Sequence, residues 1–450
     1  MNEIEKQVLQ KITPTHDYRE GLKKTVEEIR VILKSQIKKR KLPVTVELVG
    51  SIAKDTYLMN NMDIDFFLCF PTNYEKEEIA KHALSIGKSF LKNTEESYAE
   101  HPYLRGYYKD FYTEIVPCYK IENAKQKLSA VDRTPLHTKY VKENITEKQK
   151  QDVRLFKQFL KGINCYGAEA QIQGFSGYLC EIIILYYKSF EDTIKNASEW
   201  KNGIKLSIKK GKHPDFNTPL IFIDPVDPDR NVASALSKEK FMLFKKACKE
   251  YNKNPKHEFF FPNPIKSWNI EKIKKIIEEQ NASYTGVQFK KPDIIDENLY
   301  PQIRKTIKNI KSELKRNDFK IFDSTYFIDK KNIYIILKTK KEPLSKTMIH
   351  TGPPITKKEN SKQFLKKWEK HNDLVKGPYK KDNRWFVEIE RQHTEITNFL
   401  EEKLQTFSIG KDLETIVKEK YKIVEIKDLL KENLRVYWTD YLDKKNPWER

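Results

Sequence analysis

Two carboxylates one residue apart, Asp63 and Asp65, follow the pair Gly50-Ser51 by 13 and 15 residues. Ile64, Phe66, Leu68 and Phe70 alternate with them. A strand here turns its apolar set to one face and both acids to the other, about 6.5–7 Å apart along the chain. Acids so placed repel each other unless a cation lies between them. Mg2+ is the natural one, because it takes carboxylate oxygens and keeps phosphate oxygens in its shell. Gly50 lets the backbone approach a phosphate closely, Ser51 adds a hydroxyl donor, and Lys54 is placed to neutralise phosphate charge. The set reads as a site for a nucleoside triphosphate and two metal ions. Two ions about 3.5–4 Å apart call for a third acid, and Glu114, in the run Phe111–Tyr119, is the candidate. Alone, an Asp-x-Asp is usually a solvated surface pair and Glu114 an exposed strand residue. The ordered set between flanking strands carries the reading.

Several elements must position these residues. Val44–Val49 alternates apolar and polar residues and ends at glycine, as a strand running into a tight turn does. Phe111–Tyr119 alternates too, and Pro117 is expected to end that strand or place it at an edge. Leu22, Val26, Ile29, Leu33 and Ile37 fall at helical spacing ahead of the first strand. Together these predict a compact α/β unit over residues 1–148, with the polar stretch Lys142–Lys150 as connector. Residues 149–262 read as a mostly helical domain, with a basic loop at Lys205–His213 and a proline-rich turn at Asp224–Pro228. A proline cluster, Phe261–Pro264, marks the next boundary. Over 263–450 a helix carries Ile303, Ile307, Ile310 and Leu314 inside and Lys305, Lys308, Lys311 and Lys315 outside. A hairpin around Asp329-Lys330-Lys331, a helix with Phe364 and Trp368, and a strand Trp385–Glu390 follow. The expected class is α+β multidomain, ending in a small α+β RNA-binding region.

Lysine plus arginine total 85 against 64 acids in 450 residues, a formal net charge of +21. Such an excess suggests a polyanionic partner, nucleic acid or an anionic membrane surface. No apolar run approaches the ~18 residues of a membrane span, and the N-terminus lacks a signal-peptide pattern. Cys69, Cys118, Cys165, Cys180 and Cys248 are odd in number and form no Cys-x-x-Cys pair. They read as reduced, buried thiols of a cytoplasmic protein.

Gly50-Ser51-x-x-Lys54, Asp63-x-Asp65 and the later strand carboxylate resemble the nucleotidyltransferase superfamily that includes DNA polymerase beta and poly(A) polymerase. The segments Ala130–His137, Arg154–Lys161, Tyr166–Glu169, Gly174–Glu181 and Asp224–Ala233 narrow this. In that order they are similar to the archaeal-type (class I) CCA-adding tRNA nucleotidyltransferases. The resemblance implies a polymerase-beta-like palm, a helical central domain completing the nucleotide pocket, and a C-terminal region that binds the tRNA acceptor arm. It implies stepwise addition of C, C and A to a tRNA 3′ end from CTP and ATP, with two Mg2+ ions. Asp63, Asp65 and Glu114 match the metal ligands. Ser51, Lys54, His137, Lys157 and Tyr166 match residues of the nucleotide pocket, and Arg230 an arginine implicated in recognising the incoming base. Glu114 stands where relatives often have aspartate, Asp63 where some have glutamate, and Asp55 where the wider superfamily usually has glycine. A poly(A) polymerase and a non-catalytic RNA-binding protein on the same scaffold are the alternatives. Whether the chain works as a homodimer is left open by the sequence.

Overall fold

The computed structural model describes residues 1–59, 62–98 and 101–450. They divide into two compact units, Met1–Pro264 with Lys445–Arg450, and Ile265–Lys444.

The first unit begins with α1 (Glu3–Ile12) and α2 (His16–Lys39), followed by β1 (Thr45–Val49), the single turn α3 (Gly50–Ala53) and β2 (Asp63–Phe70). Then come α4 (Lys76–Lys88), β3 (Lys92–Tyr98), β4 (Pro102–Tyr108) and β5 (Phe111–Tyr119). The strands form one sheet in the order β1-β2-β5-β4-β3. Only β2 and β5 run parallel within it. Leu22, Val26, Ile29, Leu33 and Ile37 of α2 pack with Ile79, Ala83 and Ile86 of α4 against Ile64, Phe66, Leu68 and Phe70. The spacing-based expectation for α2 therefore holds.

Pro117 does not end β5, which continues to Tyr119 in the middle of the sheet. The proline is tolerated because β4 has already run out: its last pair is Leu104 with Ile115, so no N–H is needed on that side at 117. The stretch Lys142–Lys150 is not a connector either. α5 (Thr134–Asn144) and α6 (Glu147–Gly162) are separated only by Ile145-Thr146, and Thr146 caps α6 by accepting from the Gln149 N–H.

Next come α7 (Gly177–Tyr187), α8 (Phe190–Ala197), the parallel pair β6 (Ile204–Ser207) and β7 (Leu220–Ile223), and α9 (Lys238–Lys253). Their core includes Phe156, Phe159, Phe175, Phe190, Phe222 and Phe244, and Trp448 of the C-terminal segment joins it, stacked on Phe259 at 5.2 Å.

The second unit holds α10 (Ile270–Glu279), β8 (Ala282–Lys290), α11 (Asp296–Arg316), β9 (Ile321–Ile328), β10 (Asn332–Lys340), β11 (Thr347–Pro354) and α12 (Lys358–Trp368). It continues through β12 (Leu374–Lys381), β13 (Arg384–Glu390), α13 (Ile396–Lys403), α14 (Lys411–Glu419), β14 (Tyr421–Glu425), α15 (Ile426–Leu429) and α16 (Arg435–Asp443). The hairpin β9–β10 is present, inside a sheet ordered β14-β8-β10-β9, and β13 is central in a second sheet, β11-β13-β12. Strands β8, β11, β12 and β14 are not foreseen by the sequence patterns. Ile303, Ile310 and Leu314 of α11 are buried, while Lys305, Lys308, Lys311 and Lys315 are exposed. Among the described residues no helix is long and apolar enough to cross a membrane.

Candidate active site

Because Ile64, Phe66 and Leu68 face α2 and α4, the strand period sends Asp63, Asp65, Phe67 and Cys69 to the other face of β2. There Phe67 and Cys69 meet Val116 and Cys118 of β5. Glu114 shares that face of β5. The parallel register places Asp65 opposite Glu114, and the antiparallel register of β4 places Arg105 opposite Glu114 from the other side. Directly opposed residues share a face, so two acids and an arginine are forced into one row. Arg105 Nε donates to Glu114 Oε1 at 2.8 Å.

Like charges in this row show in their proton affinities. Burial first, then the Glu114 and Asp63 carboxylates, raise the Asp65 carboxyl well above the usual range. Burial also raises Glu114, against the opposing Arg105 charge, and raises Asp63 against Arg105 and Lys161. Among the described residues no group of three His, Cys, Asp or Glu side chains stands gathered as metal ligands, since Glu114 is turned to Arg105. The donor set still fits a hard divalent cation: three carboxylates on one sheet face, with two of them working against the ionisation of the third.

Gly50 has a further role. Its φ is +72°, and a Cβ there would lie 1.9 Å from Asp65 Oδ2. The sequence pattern suggests room for a phosphate at this glycine; the close approach in the structure is to the Asp65 carboxylate. Asp55, which stands where glycine is usual in the superfamily, also takes a positive φ, 53°. Arg154 Nη2 donates to its Oδ1 at 2.5 Å and Arg19 Nη1 to its Oδ2 at 3.1 Å. Ion pairs thus offset the strain that glycine would avoid.

A cleft of about 420 Å³ opens beside the acids. Gly50, Ser51, Lys54, Asp63, Asp65, His137, Lys157, Tyr166 and Arg230 line it, whereas Glu114 does not. The structure therefore gathers nine of the ten residues singled out from sequence. Neither lysine is unpartnered. Lys54 Nζ donates to Glu181 Oε2 at 2.5 Å, and Lys157 Nζ donates to Thr56 O at 3.0 Å and to Glu181 Oε1 at 3.4 Å. Thr56 Oγ1 donates to Glu181 Oε1 at 2.6 Å. Burial opposes the Glu181 charge, but the two ammonium groups and their hydrogen bonds hold its carboxyl below the usual range. Burial lowers Lys157, partly countered by Glu181.

A second buried acid, Asp224, gathers His137, Tyr178 and Arg230. Tyr166 stands near Gly177, where a Cβ would lie 3.3 Å from its hydroxyl. The run Gly174–Gly177 is a crossing and a cap: a Cβ at Gly174 would meet Cys165 O at 2.1 Å, and Ser176 accepts from the Leu179 N–H. Glu181, Asp224 and Arg105 carry no role in the sequence reading. A signal existed for the first two, since Glu181 interrupts the apolar helix Leu179–Leu185 and Asp224 ends the apolar strand β7. Arg105 offered none.

Three family profiles match the chain: a nucleotidyltransferase domain over residues 26–137, the second domain of tRNA nucleotidyltransferase over 151–261, and the C-terminal domain of CCA-adding enzyme over 281–425. The chain is 36% identical to the CCA-adding enzyme of Methanosarcina acetivorans over 93% of its own length and 92% of that protein's. It is 34% identical to the CCA-adding enzyme of Archaeoglobus fulgidus over 96% of each. Among solved structures, a poly(U) polymerase with Mg 3′-dATP bound aligns at 13% identity with a TM-score of 0.44, over 56% of this chain and 92% of that chain.

Proposed function

The chain belongs to the family of CCA-adding enzymes, and from that premise we propose that it is a tRNA nucleotidyltransferase adding C, C and A stepwise to the tRNA 3′ end. CTP and ATP are the donors, no nucleic-acid template is used, and the reaction belongs in the cytoplasm. The 3′-hydroxyl attacks the α-phosphorus of the bound nucleotide and pyrophosphate leaves. The observation that carries this reading is the row Asp63, Asp65 and Glu114 beside a cleft lined by Lys54, Lys157, His137 and Arg230.

The three carboxylates would hold two Mg2+ ions. When bound, those ions lower the pKa of the attacking hydroxyl and balance charge on the departing pyrophosphate. Ser51 and Lys54 orient the triphosphate, and Glu181 keeps the Lys54 and Lys157 ammonium groups in place. Tyr166 closes the floor of the cleft near Lys157. Arg105 keeps Glu114 ionised and on the shared face until a stronger cation competes for it. The chain forms no covalent intermediate; alignment and electrostatics supply the rate. In the second unit the exposed lysines of α11 would grip tRNA phosphates, recognising A-form shape more than sequence.

The test is direct. tRNA ending before, within or after CCA is incubated with each of the four nucleotides and Mg2+. CMP should add twice and AMP once, stopping after the terminal A. Repeated AMP addition would make the enzyme a tailing polymerase, and no pyrophosphate release would make it an RNA-binding protein.

A further inference from the structure

We propose that Asp224 is a positioning residue for base selection: it lies beneath the cleft and aims the Arg230 guanidinium, and through Arg230 it sets which bases are accepted. The inference rests on the proposed function. Asp224 is 0% exposed, so it does not itself touch a substrate. Both of its oxygens are fully engaged. Oδ2 accepts from Arg230 Nη1 at 3.0 Å and from His137 Nε2 at 2.8 Å, and Oδ1 accepts from the Tyr178 hydroxyl at 3.0 Å and the Val226 N–H at 2.9 Å. One carboxylate thereby joins α5, α7 and the loop after β7. The His137 ring also stacks on Tyr178, with centroids 4.0 Å apart.

The loop carrying Arg230 is itself tied down. The Asp224 N–H donates to Arg230 O at 3.0 Å, and the Arg230 N–H to Asp227 O at 2.9 Å. Arg133 and Lys127 hold Asp227 at 2.8 and 3.0 Å. Arg230 has little freedom left at its backbone and one fixed point at its tip. A guanidinium is planar and only donates. With one N–H pinned to Asp224, the rest of that plane is left to the cleft that Arg230 lines.

A donor-only edge suits a base whose pairing-edge ring nitrogen is an acceptor. Cytosine N3 and adenine N1 are acceptors; uracil N3 and guanine N1 carry hydrogens, so donor would face donor. The same fixed guanidinium therefore accepts C and A and rejects U and G, but only while its orientation is held. A swivelling arginine would turn toward any carbonyl oxygen. Rejection by a misplaced donor is specificity by repulsion, which depends on rigidity.

The experiment measures single-turnover addition of CMP and of UMP to tRNA lacking CCA, for wild type, Asp224→Asn, Asp224→Glu, Arg230→Ala and the double variant Asp224→Asn/Arg230→Ala. Folding is checked by circular dichroism. Asp224→Asn should lower the preference for CMP over UMP about tenfold to a hundredfold, the worth of one hydrogen bond to a charged group. Asp224→Glu keeps the charge but lengthens the reach, so it should lower the preference too, and it carries the test if the asparagine variant does not fold. On the Arg230→Ala background Asp224→Asn should change the ratio no further. An unchanged preference in folded Asp224 variants overturns the inference. So does an equal loss with and without Arg230, which would make Asp224 merely structural. Wild type that transfers UMP as readily as CMP would instead overturn the proposed function, and this inference with it.

Discussion

Asp65 shows how a site built for a cation strains the chain that carries it. Its carboxyl is raised by burial and by Glu114 and Asp63, so the folded chain binds that proton more tightly than the unfolded chain. Above about pH 4, the ordinary carboxylate value, the folded state holds more protons. Without a cation, stability therefore falls as pH rises through the folded-state value. Asp65→Asn removes the charge and should melt higher than wild type in EDTA at neutral pH, while losing nucleotide addition. Mg2+ should raise the wild-type melting temperature and leave the variant nearly unmoved. A variant no more stable than wild type in EDTA would deny the repulsion. Gly50 belongs to the same problem. Gly50→Ala costs about 1–2 kcal/mol for the left-handed backbone, and its methyl group would displace Asp65, 1.9 Å away. It should lower stability in urea melts and abolish addition; full activity would mean that the Asp65 carboxylate is free to move.

Two elements decide the chemistry by where they stop and what they face. Strand β5 places Glu114 between Asp65 on β2 and Arg105 on β4. A carboxylate is required there if a metal is to be held, so Glu114→Gln should lose single-turnover CMP addition by orders of magnitude. Glu114→Asp should keep part of it, with charge intact and one methylene less reach. If glutamine is fully active, the third ligand lies elsewhere. Helix α7 contributes Glu181, 0% exposed, to Lys54 and Lys157. Removing its charge strands two buried ammonium groups, and breaking such a pair costs about 3–5 kcal/mol. Glu181→Gln should therefore shift the urea midpoint strongly, whereas a change below about 1 kcal/mol, the range of exposed pairs, would mean that water reaches the lysines.

At the scale of the whole molecule the excess of 85 basic over 64 acidic residues is the dominant fact. On α11 the apolar stripe is buried and Lys308, Lys311 and Lys315 stand in solvent. If these grip phosphates, tRNA affinity falls steeply as salt rises. Reversing all three to glutamate should weaken binding and flatten the salt slope by about 0.7–0.9 for each phosphate no longer neutralised. Affinity and slope equal to wild type in a filter-binding titration would leave this face simply solvated.

Much of the site was legible because its signals are local. Alternation over Asp63–Phe70 places both acids on one face whatever the strand pairs with, and helical spacing over Leu22–Ile37 marks a buried stripe without knowledge of its partner. The hairpin β9–β10 was readable from two β-rich runs around a polar turn. The unforeseen strands β8, β11, β12 and β14 have weaker alternation or glycine and proline within them, as in Thr347–Pro354 and Leu374–Lys381. The connector at Lys142–Lys150 failed for a related reason, since a polar run can be the exposed side of two helices. What no local pattern carries is register and burial. Arg105 meets Glu114 because β4 and β5 pair at that step, and Gly50 meets Asp65 because Val49 is the residue paired with it. Lys54 and Lys157 look like open cations in the sequence, yet the packing of α6 and α7 over residues 54–57 gives both to Glu181. Charges this far apart in sequence become partners only when the core closes over them. An acid in an apolar helix then stops being an anomaly and becomes the counterion of the cleft.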